Sequence, residues 1–113
     1  MNALNLVIIE GTLINGPVIL EKASKQVCTF RIVSVRNAVR GGEKYQEIGF
    51  FDIEIRGDSN VAMCMSELAT GRAVCVIGRM VTEEIQATDN YKMTVVSESI
   101  EIKANRKHEG AKL

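Results

Sequence analysis

Four cations, Arg31, Arg36, Arg40 and Lys44, follow one another at intervals of four or five residues, with Tyr45, Phe50 and Arg56 after them. The chemistry such residues offer is binding rather than bond making. Lys and Arg neutralise phosphates along a strand, flat side chains stack on bases, and a guanidinium does both. The Gly-Gly pair in "VRGGEK" sits between two segments that read as strands, so the group looks like a hairpin carrying cations and rings. Two carboxylates, Asp52 and Glu54, alternate on the same side as Phe50 and Arg56 and would repel phosphate. The residue types therefore support two readings: a hairpin that grips a nucleic-acid strand, or solvated charges with Phe50 packed at an interface.

Other reactive residues offer little. His108 is the sole histidine, near the C-terminus and without a nucleophile or carboxylate pattern beside it. Cys28, Cys64 and Cys75 have no C-x-x-C spacing, which argues against zinc and against a disulfide framework. "VRGGEK" lacks the spacing of a phosphate-cradling loop and precedes a strand, so its glycines are turn residues. The expectation is a protein without catalytic activity, metal, cofactor or small-molecule substrate.

At 113 residues the chain suits one domain. Its net charge is zero, but the charge is segregated. Residues 22–44 hold six cations against Glu43 alone, a net +5; residues 45–70 hold five carboxylates against Arg56, a net −4. Either one face is basic or the two segments neutralise each other in space. No apolar run reaches membrane-spanning length, and "MNALNLVIIEG" lacks a basic leader, so a cytoplasmic protein is expected.

The elements that must position the cations follow from periodicity. Residues 4–14 are β-rich and run into the turn signal "NGP", with 18–22 continuing after a bend. Residues 27–36 alternate, Cys28, Phe30 and Ile32 against Thr29 and Arg31; 48–56 alternate, Phe51, Ile53 and Ile55 against Phe50, Asp52, Glu54 and Arg56. In "GDSNVAMCMSELATG" the period lengthens, which predicts a short helix with Val61, Met65 and Leu68 inward, Asp58 or Ser59 as N-cap and Gly71 near its end. Residues 72–82 and 91–102 are strands around the turn 87–90. The order β-β-β-α-β-β predicts a closed five-stranded barrel with a helix between strands 3 and 4, the OB-fold, over residues 1–103, with 104–113 a polar tail. Two strands are apolar on both sides. Leu6 and Ile8 face away from Val7 and Ile9, and Cys75 and Ile77 face away from Val74 and Val76, which points to contacts between copies.

Together, "NLVIIEGTL" (5–13), "FRIVSVRN" (30–37), "FFDIEIRGD" (50–58) and "LATGRAVCVIGRMVT" (68–82) resemble the bacterial single-stranded DNA-binding protein family over about the first hundred residues. The resemblance implies an OB-fold homo-oligomer, a tetramer in preference to a dimer, that binds single-stranded DNA without sequence preference in replication, recombination or repair, in a bacterial, nucleoid-associated setting. It implies no catalysis and no cofactor, and dimer contacts through the first strand. The expected DNA contacts are Arg31, Arg36, Arg40, Lys44, Tyr45, Phe50, Arg56, Arg72 and Arg79; the expected interface holds Leu6, Ile8, Cys75 and Ile77. One stacking position of the family falls on Phe50, a second on Arg56, and two near Ala38 and Ile85, where no ring stands. The family's acidic tail tip is replaced by basic "RKHEGAKL", through truncation or through loss of partner recruitment. Two alternatives remain beside this reading: a primosomal replication protein of the same fold, and an OB-fold interaction module with DNA binding largely lost.

Overall fold

The computed structural model describes residues 2–103. The predicted tail 104–113 and His108 lie outside the described residues. Five strands, β1 (Val7–Lys22), β2 (Lys25–Arg40), β3 (Glu43–Arg56), β4 (Ala73–Glu84) and β5 (Tyr91–Ile102), and one helix, α1 (Asp58–Glu67), form the chain. The strands close in the order β1-β2-β3-β5-β4, and β4 returns to β1. The ladders are antiparallel except for a short parallel one, Ile53↔Val95 to Ile55↔Ser97, between β3 and β5. This is the barrel that the element order predicted.

Alternation places the core. Leu13, Cys28, Phe30, Ile32, Ile53, Ile55, Val74, Val76 and Val95 point inward and are buried, each large one contributing about 1.5–3 kcal/mol by leaving water. α1 plugs one end with Val61 and Cys64, joined by Leu68 just past its C-terminus. Met65 was expected there and is instead exposed. Helical spacing admits i+3 as readily as i+4, and the smaller Cys64 fits beside Cys28. The N-cap is Gly57, with no side-chain cap, rather than Asp58 or Ser59. Asp58 is already helical, in the first turn, where its charge favours the helix dipole.

β1 is one long strand. Its register with β2 shifts twice between Leu13 and Val18, around Gly16 and Pro17, and this bend lets the strand pair first with β4 and then with β2. Beyond the ladder's end at Val7, the Asn5 side chain takes over: its Nδ2 donates to Met80 O at 2.8 Å and its Oδ1 accepts the Met80 N–H at 3.0 Å.

The hairpin is longer than predicted. β2 and β3 stay in unbroken register from Val27↔Arg56 to Arg40↔Glu43, turning at Gly41 and Gly42. Both glycines have positive φ, 59° and 83°, as a tight two-residue turn requires. β1 pairs with β2 only as far as Val33, so residues 34–49 form a two-stranded arm beyond the barrel. Among the described residues no helix is long and apolar enough to cross a membrane.

Candidate nucleic-acid interface

One face of the β2–β3 ribbon is set by parity. Its cross-strand pairs, from the barrel to the arm tip, are Val27/Arg56, Thr29/Glu54, Arg31/Asp52, Val33/Phe50, Val35/Ile48, Asn37/Gln46 and Val39/Lys44. β1 extends this face alongside Thr29 with Val18 and beside Val27 with Leu20. Phe50 is 61% exposed and Val35 and Ile48 are also exposed, so the middle of the face offers a ring and two aliphatic side chains to solvent. Phe51 turns the other way, against the core, as the alternation required.

The charges at the barrel end are already matched. Arg31 Nε donates to Asp52 Oδ1 at 2.9 Å and its Nη2 to Oδ2 at 3.4 Å, while Lys92 Nζ stands 3.8 Å from Oδ2. The Arg31 hydrogen bonds hold the Asp52 carboxyl below its ordinary value although burial pushes the other way. Glu54 is 1% exposed. Lys22 Nζ donates to its Oε1 and Arg56 Nε to its Oε2, both at 2.6 Å, and Lys22 also reaches Glu83 at 2.7 Å. Burial alone would raise the Glu54 pKa; the bonds from Lys22 and Arg56 outweigh it and hold the carboxyl low. The same contacts, led by the hydrogen bond to Glu54, raise Lys22.

This corrects the expectation that Asp52 and Glu54 stand as bare negative charges. Glu54 is buried inside a cationic clasp, and Asp52 is forked by Arg31. The segregated charge of residues 22–70 is thus neutralised in space at the barrel end, where Lys22, Arg31 and Arg56 meet Asp52 and Glu54. Arg36, Arg40 and Lys44 join none of the ion pairs among the described residues. Lys25 at the start of β2 and Arg72 before β4 also stand outside these pairs, so three of the five unpaired cations among the described residues lie on the arm.

The nine expected contact residues do not share one face. Arg31, Lys44, Phe50 and Arg56 do. Arg36, Arg40 and Tyr45 lie on the opposite face of the arm, opposite Glu47, Glu43 and Ala38 in the ladder. There the Arg40 guanidinium sits 5.6 Å from the Tyr45 ring centroid, within cation–π range. Tyr45 stands directly across from Ala38, so a ring is present beside that position although the strand itself carries none. Arg72 lies in the turn before β4, and its Nε is buried without a hydrogen-bond partner. Arg79 projects from β4 and pairs with Glu98 at 3.2 Å. Neither belongs to the β2–β3 ladder.

Sequence reasoning missed Lys92 and Thr94. With Val18, Thr29, Arg31 and Asp52 they line a cavity of about 290 Å³ on the barrel end of the face. Their alternation with Met93 was readable, but their place beside Asp52 depends on the parallel β3–β5 pairing, which nothing local announces. The expected interface residues Leu6, Ile8 and Ile77 are exposed and Cys75 half-buried; Ile8 pairs with Ile77 and Glu10 with Cys75 across the β1–β4 ladder. Among the described residues no group of three or more His, Cys, Asp or Glu is arranged to hold a metal.

The model of the single-strand binding protein family matches residues 4–104. The chain belongs to that family. Similar solved structures include a Plasmodium falciparum SSB in complex with ssDNA, at TM-score 0.79 and 16% identity over 92% of this chain and 98% of that one. A deletion mutant of the single-stranded DNA binding protein from Thermus aquaticus matches at TM-score 0.79 and 19% identity over 91% of this chain and 52% of that one, so this chain spans about half its length. The small single-stranded DNA-binding protein from Streptomyces coelicolor matches at TM-score 0.69 and 18% identity over 94% and 99%. Such identities speak for the fold. No curated protein matches the chain in sequence.

Proposed function

We propose that the protein performs its family's function, binding of single-stranded DNA, along the outer face of the β2–β3 ribbon, with phosphates gripped by the arm and bases laid on Phe50. The observation that carries this is the exposed Phe50 between the ion-paired barrel end and the arm, where Lys44 shares its face and Arg36 and Arg40 stand on the arm's other face, so a strand must pass round the arm's edge to meet all three. Affinity then comes from phosphate neutralisation and stacking, neither of which demands a sequence. Because Asp52 and Glu54 are neutralised, the main argument for an interaction module without DNA binding is weakened. Arg31 and Arg56 serve as partners that exchange a carboxylate for a phosphate, while Arg72 and Arg79 are secondary contacts. No catalytic step and no cofactor is part of this function. The exposed outer surface of β1 and β4, with Leu6, Ile8, Cys75 and Ile77, supports assembly into a homo-oligomer, a tetramer in preference to a dimer, in the cytoplasm at the nucleoid.

The test is a titration of labelled oligo-dT followed by anisotropy, because the chain has no tryptophan to quench. Binding at low salt that weakens as salt rises is expected. Absence of binding at low salt would remove the proposal. Light scattering reads the assembly, and a monomer at micromolar concentration would remove the interface.

A further inference from the structure

If the face that carries Phe50 is the front of the arm, its back is made by the pairs Ser34/Gly49, Arg36/Glu47, Ala38/Tyr45 and Arg40/Glu43. Tyr45 is the one ring among them and is 38% exposed. The uncharged positions around it, Ser34, Gly49 and Ala38, are small, whereas the front carries Val33, Val35, Val39, Ile48 and Phe50. A cavity of about 470 Å³, within the size range of ligand sites, is lined by Ala38 and Tyr45 with Asn37, Val39, Lys44 and Gln46. The Arg40 guanidinium stands 5.6 Å from the ring centroid, near the outer limit of a cation–π contact. At an exposed site that contact is weaker than a stacked base, so a base displaces the arginine from the ring and leaves it for a phosphate. Both edges of the arm are free. β1 leaves β2 at Val33, and β5 meets β3 only from Ile53 to Ile55. The edges differ in charge. On the back, β2 carries Arg36 and Arg40, while β3 carries Glu43 and Glu47. Neither arginine belongs to an ion pair among the described residues. A phosphate chain coming over the β2 edge meets two cations; over the β3 edge it meets two carboxylates.

We propose that the free β2 edge, residues 34–40, is where single-stranded DNA crosses from the front of the arm to its back, with phosphates on Arg36 and Arg40 and a base stacked on Tyr45. Tyr45 and Phe50 lie on opposite faces, five residues apart along β3, which is about 17 Å of strand. One base cannot touch both rings, so the two platforms serve different nucleotides. A sheet edge also presents unpaired backbone N–H groups, which are phosphate donors that need no side chain. The strand therefore winds round the arm instead of lying along one face. Stacking on Tyr45 uses the ring and not the hydroxyl, and it favours no particular base. The crossing rests on the function proposed above.

The chain has two tyrosines and no tryptophan, so in Tyr91→Phe the intrinsic emission reports Tyr45 alone. Saturating this variant with long oligo-dT should quench that emission. Tyr45→Ala should weaken binding of long oligo-dT by about 3- to 30-fold, while Tyr45→Phe should bind as wild type does. Arg36→Gln and Arg40→Gln should each flatten the salt slope by about 0.7; Glu43→Gln and Glu47→Gln should leave it unchanged. The emission readout keeps Tyr45 in place, so a folding defect in Tyr45→Ala would not shield the idea. Bound oligo-dT that leaves Tyr45 emission unchanged, with Phe50→Ala still weakening binding, overturns the crossing and leaves the DNA-binding function standing. Unchanged slopes in both arginine variants overturn the β2 edge as the route. A Tyr45→Ala variant that binds oligo-dT like wild type but forms smaller assemblies in light scattering makes the ring a subunit contact and overturns the platform. Loss of binding to every oligomer at low salt would strike the function and the crossing together.

Discussion

Replacing Glu54 with Gln should move stability and DNA affinity in opposite directions. The carboxylate is 1% exposed and receives two charge-assisted hydrogen bonds of 2.6 Å, from Lys22 and Arg56. Breaking a fully buried ion pair costs about 3–5 kcal/mol, mainly because the orphaned charge cannot reach water. Here Lys22 and Arg56 are 37% and 48% exposed and can rehydrate, Lys22 keeps Glu83 at 2.7 Å, and the glutamine carbonyl still accepts from one of them. A net loss of about 2 kcal/mol is therefore expected, the scale of one charged hydrogen bond. For a domain of this size that lowers Tm by roughly 8 °C. The loss carries a pH signature. Glu54 is held below its ordinary 4.5 when folded, so its contribution is fully present above that value and fades as pH falls through the folded pKa. The gap between wild type and Glu54→Gln should close in acid and stay open at neutral pH. On the DNA side, Arg56 is released and Lys22 keeps only Glu83. Arg56 then meets its phosphate without giving up a carboxylate and Lys22 can add one contact; each new phosphate contact steepens the salt dependence of single-strand binding by about 0.7 in slope, so the variant should bind oligo-dT more tightly at low salt with a slope up to about 0.7 steeper. Thermal melts across pH and anisotropy titrations across salt read both effects. A variant as stable as wild type at pH 7, or one with an unchanged salt slope, would refute the clasp and its link to DNA.

Three further outcomes follow from individual positions. Phe50→Ala should weaken oligo-dT binding by about 5- to 150-fold, the worth of one stacked base, while Tm in a melt barely moves because the ring is exposed; a large loss of stability would make Phe50 a packing residue. Gly78→Ala should destabilise by about 1–3 kcal/mol in urea melts, since a Cβ there would collide with the Val96 carbonyl at the β4–β5 register shift. Ser24→Gly should raise Tm in the same assay by relieving about 1 kcal/mol of left-handed strain, because Ala23 and Ser24 both hold positive φ, 49° and 65°, in the β1–β2 turn.

The barrel was legible because its signals are local. Alternation from Cys28 to Ile32 and from Phe51 to Ile55 reports which side chains face the core wherever the strands end up. The same parity separated Phe50 from Phe51 and marked Leu6 and Ile8 as outward. The arm was underestimated, because Val35, Val39, Ile48 and Tyr45 are exposed on a ribbon with no barrel behind most of it, and a strand without a buried face shows weak alternation. The helix face was misread by one position, since Met65 and Cys64 both satisfy a period of 3.6 and only packing against Cys28 separates them.

The nine candidate contacts show where reading a chain one residue at a time ends. Sequence alone determined the five strands, the helix between β3 and β4, the parity of each strand and the family. Tertiary structure decided the electrostatics. Glu54 became a buried, doubly bonded carboxylate because Lys22 of β1, itself held by Glu83 of β4, converges with Arg56 on it, and Asp52 gained Lys92 through a parallel ladder of three residue pairs. Parity is a property of consecutive residues and is written in order along the chain. Whether a charge repels phosphate or disappears into an ion pair depends on partners as far apart in the chain as Lys22 and Glu83 or Glu10 and Lys103, and those meet only when register, bulges and barrel closure bring them together.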